Sequence, residues 1–130
     1  DTTAVMGKRE AEHLLASNLP ALQNLIKRDP QGYREELLLQ LRHFESTLQI
    51  FLLKPDEESE EFCNLCNLLS HVAHCYPKDL AQFPQQMIDL LAKQYSVLHP
   101  TVRRSLVQSL ILLRNKKLVS TVTYAWPHAQ

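Results

Sequence analysis

At 130 residues, with 45% hydrophobic residues, 22% charged residues and two glycines, the chain holds material for one modest core and predicts a folded, mostly helical unit. Fourteen Lys and Arg balance fourteen Asp and Glu, so no net charge draws it toward nucleic acid or an anionic membrane. No apolar run approaches the ~18 residues of a membrane span, and three cysteines with no secretory signal point to a reducing, intracellular setting.

Residues 1–16 are polar and mixed, which predicts a loosely held segment. The chain opens on Asp1 rather than Met, as expected of a processed or partial product. From residue 17, "SNLPALQNLIKRD" offers Ser17 or Asn18 as a cap, Pro20 for the first turn, and Leu19, Leu22, Leu25 and Ile26 at spacings of three and four. A short amphipathic helix follows from that pattern.

"DPQGYREELLLQLRHFESTLQIFLLK" predicts the longest helix, with Asp29 as its cap and Pro30 as its first residue. Glu35 and Glu36 fall near the positive end of its dipole. Tyr33, Leu37, Leu41, Phe44, Leu48, Phe51 and Leu52 lie along one face. Pro55 interrupts, Ser59 caps the next helix, and Pro77 stops it. "PKDLAQFP" reads as a turn, "PQQMIDLLAKQYSVL" resumes a helix, and "HPTVRRSLVQSLILLRNKK" makes the last one, with Pro100 near its start. "LVSTVTYAW" is β-prone, so residues 119–130 are expected to depart from the helical pattern.

The expected fold is all-α, with antiparallel helix pairs over residues 17–118. The pairs run from Pro30 to Tyr76 and from Pro84 to Lys117, close in length to the ~40-residue units of HEAT or armadillo arrays. Such pairs bury their faces against neighbours, so this stretch reads as the first part of a longer solenoid.

"CNLCNLLSHVAHCY" raises the question of a metal, because it holds three cysteines and two histidines. On a helix turning about 100° per residue, Phe62, Leu65, Leu69, Val72, Ala73 and Tyr76 form one apolar face, while the five potential ligands scatter over its flank and back. Cys63 and His74 share a face but stand about 16 Å apart along the axis, far beyond what ligands ~2.0–2.3 Å from one zinc allow. Cys63 and Cys66 make half a site, and no second CxxC completes it. Cys66 therefore reads as a small core residue, and Cys63 and Cys75 as partly buried positions.

Catalytic patterns are equally sparse. The acid pairs Glu35–Glu36, Glu57–Glu58 and Glu60–Glu61 fall on helix starts or in a loop, and two isolated glycines cannot build a phosphate cradle. Ser105 and Ser109 sit on helical positions with no GxSxG elbow. No enzyme, cofactor or small-molecule substrate is expected. Charge is nonetheless polarised: six acids lie between Glu45 and Glu61, whereas beyond Leu90 every charged residue is basic. Arg103, Arg104, Arg114, Lys116 and Lys117 are the candidate partner-contact residues, facing phosphates or an acidic protein surface. With little aromatic interleaving, contact with an RNA backbone or protein is expected in place of base reading.

The blocks "SNLPALQNLIKRDPQGY", "HCYPKDLAQFPQQMIDLL" and "VLHPTVRRSLVQSLILLRNKKL" resemble, in order and spacing, the N-terminal region of the Severe Depolymerization of Actin (SDA) family over roughly residues 17–118. The resemblance implies a nuclear and nucleolar helical-repeat scaffold, associated with precursor large (60S) ribosomal subunits and needed for their maturation and export. It also implies an indirect link to cell-cycle progression and actin organisation. It carries over no catalytic residue. Its members are several times longer than this chain, so the later regions of the family would lie outside it. The readings set beside it are a general helical adaptor that grips proteins without RNA, and a zinc protein using Cys63 and Cys66.

Overall fold

The computed structural model describes residues 18–118, and those residues are helical throughout, joined by turns and without strands. The elements are α1 (Leu19–Arg28), α2 (Arg34–Phe51), α3 (Glu60–Val72) with a 3-10 turn at Ala73–Cys75, α4 (Phe83–Gln94) and α5 (Pro100–Asn115). The expected segments 1–16 and 119–130, including the β-prone stretch after Leu118, lie outside the described residues.

Local chemistry explains most boundaries. Asn18 starts α1 by accepting from the Ala21 backbone N–H at 3.2 Å, and Pro20 follows in the first turn, where its missing donor costs nothing. Ser59 caps α3 through Phe62 N–H at 3.3 Å. His99 caps α5, its Nδ1 accepting from Thr101 N–H at 3.2 Å just ahead of Pro100. The start of α2 differs from expectation. Asp29 caps a turn instead of the helix, accepting from Gly32 N–H at 3.1 Å, and the helix begins only at Arg34. A Cβ on Gly32 would run into the Asp29 carboxylate, so glycine leaves room for that turn.

Packing centres on α3. It touches α1, α2 and α5, while α4 packs on α5. Phe62, Leu65, Cys66, Leu68, Leu69, Ser70 and Val72 of α3 are all buried, as is the apolar face expected from its spacing, through Ala73 and Tyr76. Each such large apolar side chain contributes about 1.5–3 kcal/mol on removal from water. The four phenylalanines weld three helices: Phe51 stacks on Phe62 at 4.5 Å, Phe62 on Phe44 at 5.8 Å, and Phe44 meets Phe83 of α4 edge-on at 5.3 Å.

The long face of α2 is buried less completely than its spacing suggests. Leu37, Phe44 and Phe51 are buried and Tyr33, Leu41 and Leu48 half-buried, but Leu52 is 39% exposed, beside Ile50 at 69% and Leu53 at 80%. Beyond Phe51, the last residue of α2, burial gives way to exposure at Leu52 and Leu53.

Candidate functional site

Basic residues of α5 do not form one uniform stripe. Arg103 turns toward the corner between α4 and α5, its Nε donating to Tyr95 O and its Nη2 to Leu98 O, both at 3.0 Å. Its guanidinium also lies 4.9 Å over the Tyr95 ring. Arg103 thus ties off carbonyls at the end of α4, work that a helical projection of α5 alone cannot reveal. Arg104 and Lys117 are exposed, and Arg114 and Lys116 half-buried.

Lys116 belongs to a second grouping, assembled from three elements. It caps the C-terminus of α5, Lys27 stands in the last turn of α1, and His71 and His74 end α3 and its 3-10 extension. Burial, and then the two lysines, hold both imidazoles below the ordinary histidine range. The C-terminal ends of α1, α3 and α5 therefore converge on one edge, where the positive charges of Lys27 and Lys116 meet the negative dipole ends. At neutral pH the histidines there are uncharged hydrogen-bonding groups. The sequence weighs His71 and His74 only as potential metal ligands and leaves Lys27 out, because the nearness of the three depends on α1 and α5 flanking α3.

The cysteines take the positions expected from their spacing. Cys66 is wholly buried and its thiol pushed well up by desolvation; Cys63 and Cys75 are half-buried and shifted in the same direction, chiefly by burial. His74 Nε2 lies 3.6 Å from Cys75 Sγ. Among the described residues no three His, Cys, Asp or Glu side chains converge as metal ligands would.

On another face, α1 and α2 border a groove of about 480 Å³ along α3. Amides line it: Gln23 from α1, Gln40 from α2, and Asn64 and Asn67 from α3. His43 meets Glu61 at 2.5 Å on its rim. The arrangement offers paired donors and acceptors over a partly apolar bed of Leu19, Leu65 and Leu68.

A family model described as "SDA1, HEAT repeat" matches residues 68–125. The Protein SDA1 homolog of Dictyostelium discoideum is 50% identical over 105 residues, covering 81% of this chain and 14% of that protein. The Xenopus tropicalis homolog is 48% identical over 106 residues, 82% of this chain and 15% of the relative, and Schizosaccharomyces pombe Protein sda1 is 39% identical over 118 residues, 91% and 16%. The chain belongs to the SDA1 family.

It spans about a seventh of the length of the curated SDA1 relatives it matches. Two of the blocks that carry the SDA1 resemblance touch in the fold. Tyr76, from "HCYP", is buried and donates its hydroxyl proton to the Pro30 carbonyl of "NLIKRDP" at 2.6 Å. Beside them Arg34 grips Asp79 with two bonds, Nε to Oδ2 at 3.0 Å and Nη2 to Oδ1 at 2.9 Å, holding the Asp79 carboxyl below its usual range. The segment after α3 is thereby clamped onto the α1–α2 turn.

Proposed function

We propose that the chain is a non-enzymatic HEAT-type scaffold that acts in maturation and export of the large (60S) ribosomal subunit precursor, in the nucleus and nucleolus. Its membership in the SDA1 family is the observation that carries this reading. The mechanism is positioning. A helical stack with a continuous aromatic weld supplies rigidity, and the basic edge at the end of α5 supplies contact with particle proteins or ribosomal RNA backbone. Arg114, Lys116 and Lys117 are its contact residues, joined by Arg104 near the start of α5, where Arg103 holds the α4–α5 corner. A link to protein transport and actin organisation follows as a downstream effect of subunit export.

The test is sedimentation of the tagged full-length protein with precursor particles, with and without charge reversal of Arg104, Lys116 and Lys117. Co-sedimentation that weakens steeply with salt, and is reduced by the reversals, is expected. Absence from precursor fractions at low salt overturns the particle role. Intact association after reversal overturns the electrostatic contact alone.

A further inference from the structure

Exposed apolar side chains gather at one end of the bundle. Leu48 and Leu52, at the end of α2, face Leu90 and Gln94 of α4 across a groove of about 250 Å³, so the two helices finish side by side. Ile50, Leu52 and Leu53 close α2, and Val97, 49% exposed, lies in the turn after α4, its N–H donating back to Gln94 O at 3.0 Å. These four are the exposed large hydrophobics among the described residues. Apolar side chains collected in one place, instead of scattered singly, mark a surface that meets another molecule.

The groove has the shape of a helix seat. Leu48 and Leu52 stand four positions apart on one wall, and Gln86, Leu90 and Gln94 stand four apart on the other. Rows at that spacing are the ridges between which a third helix lays its own. Asp89 and Lys93 on the α4 wall are one turn apart and of opposite sign, so the groove itself is charge-balanced.

Beyond the groove the charge is one-sided. Of the five described helices, α2 alone has no basic residue in its last turn, where the others carry Lys27 and Arg28, His71, Lys93 and Arg114. Its negative dipole end therefore lacks the cation that its neighbours have. Lys54 N–H donates to Phe51 O at 3.1 Å and Glu57 N–H to Lys54 O at 3.2 Å, which folds the acidic loop against that same end. Asp56, Glu57 and Glu58 are all exposed, and the one base of the loop, Lys54, is paired with Glu57 at 3.5 Å. Such a potential repels phosphodiesters and attracts lysine or arginine.

We infer that the α2–α4 groove seats a basic amphipathic helix of a protein partner. Its apolar side chains lie between Leu48, Leu52 and Leu90, and its lysines or arginines meet the end of α2 and the carboxylates of Asp56 and Glu58. The helix α3 runs from this acidic loop to the edge where Lys27 and Lys116 gather, so anion contact and cation contact fall at opposite ends. The seat does not depend on the particle role.

The experiment is fluorescence anisotropy with the full chain and a labelled, N-acetylated, C-amidated peptide of leucine, alanine and lysine, with its leucines along one helical face. Its controls are the same composition with the leucines scattered, and a counterpart with glutamate in place of lysine. The amphipathic lysine peptide is expected to bind. Leu52→Ser, and separately Asp56→Lys with Glu58→Lys, are each expected to weaken it by about tenfold or more. Because Asp56 and Glu58 are exposed, the charge variant tests the site even if Leu52→Ser perturbs folding, which circular dichroism monitors. Lys116→Glu with Lys117→Glu is expected to leave peptide affinity at the wild-type level or above. Equal affinity for the scattered-leucine or the glutamate peptide, or insensitivity to the charge variant or to a folded Leu52→Ser, overturns the inference. So does self-association of the chain abolished by Leu52→Ser, which would make a second copy the occupant. Failure here leaves the particle role untouched, since that role is read by sedimentation.

Discussion

Tyr76 donates its hydroxyl proton to the carbonyl of Pro30 at 2.6 Å, closing a loop of 46 positions between the end of α3 and the turn before α2. Proline has no N–H of its own to offer there, but its carbonyl is a full acceptor, and a buried tyrosine needs one. The bond thus satisfies both partners. Tyr76→Phe keeps the ring and removes the donor, so a loss of about 1–2 kcal/mol in urea unfolding is expected.

The same tyrosine sets an alkaline limit. Burial, followed by the nearby Cys75 and the carboxylates of Asp29, Asp79 and Glu36, pushes its phenol up to about 12 from an ordinary 10. The raised value means that the fold favours the protonated form. Its contribution is complete below pH 10 and disappears as pH climbs through about 12. Unfolding free energy measured from pH 8 upward should fall across that window in the wild type, and Tyr76→Phe should remove this part of the slope.

At the junction of three helix ends, the sign is opposite. His71 and His74 are held below 6.5 by burial and by Lys27 and Lys116, so the fold favours their neutral form. Acidification through and below pH 6.5 therefore destabilises the chain, while alkaline conditions leave these two groups without effect. Lys27→Gln removes one of the repelling charges, and NMR titration should then show both imidazoles moving up toward their ordinary value. No movement would mean that Lys27 does not face them.

Inside the core, Ser109 is buried and its Oγ has no hydrogen-bond partner. Ser70 shows the contrast, donating to Cys66 O at 2.7 Å. Ser109→Ala is accordingly expected to be neutral or to stabilise by about 1 kcal/mol, while Ser70→Ala gives no such gain. Thermal unfolding of the pair of variants distinguishes the two hydroxyls.

Lys117 is the one described non-glycine residue with positive φ, at 63°. It terminates α5 in the left-handed turn closed by Leu118 N–H to Leu113 O at 2.9 Å and Lys117 N–H to Arg114 O at 2.8 Å. Lys117→Gly relieves the crowding of a Cβ there and should raise stability by about 1 kcal/mol. A lower urea midpoint in this variant would show that the lysine side chain contributes more than its backbone strain costs.

Periodicity made most of the fold legible. The apolar face of α3 and the caps Asn18 and Ser59 are local facts, settled by which residues sit three and four apart. Asp29 was misplaced by one turn because an Asp-Pro pair signals a helix start and a turn equally well, and Gly32 three residues on decides for the turn. Side-chain partners across elements were not legible. Arg103 faces outward on a helical wheel of α5, yet the carbonyls of Tyr95 and Leu98 capture it. Lys27 and His71 lie 44 positions apart, and only the docking of α1 on α3 joins them. The groove along α3 escaped for the same reason, since a glutamine midway along α2 carries no signal until its neighbours enclose it.

With α1, α2 and α5 all leaning on α3, the middle helix acts as the keystone of the described bundle. An outer helix can fray on its own, but α3 is released only after several neighbours have moved. Its backbone amides should accordingly be the slowest to exchange with deuterated solvent, and their rates should report the opening of the whole assembly at once.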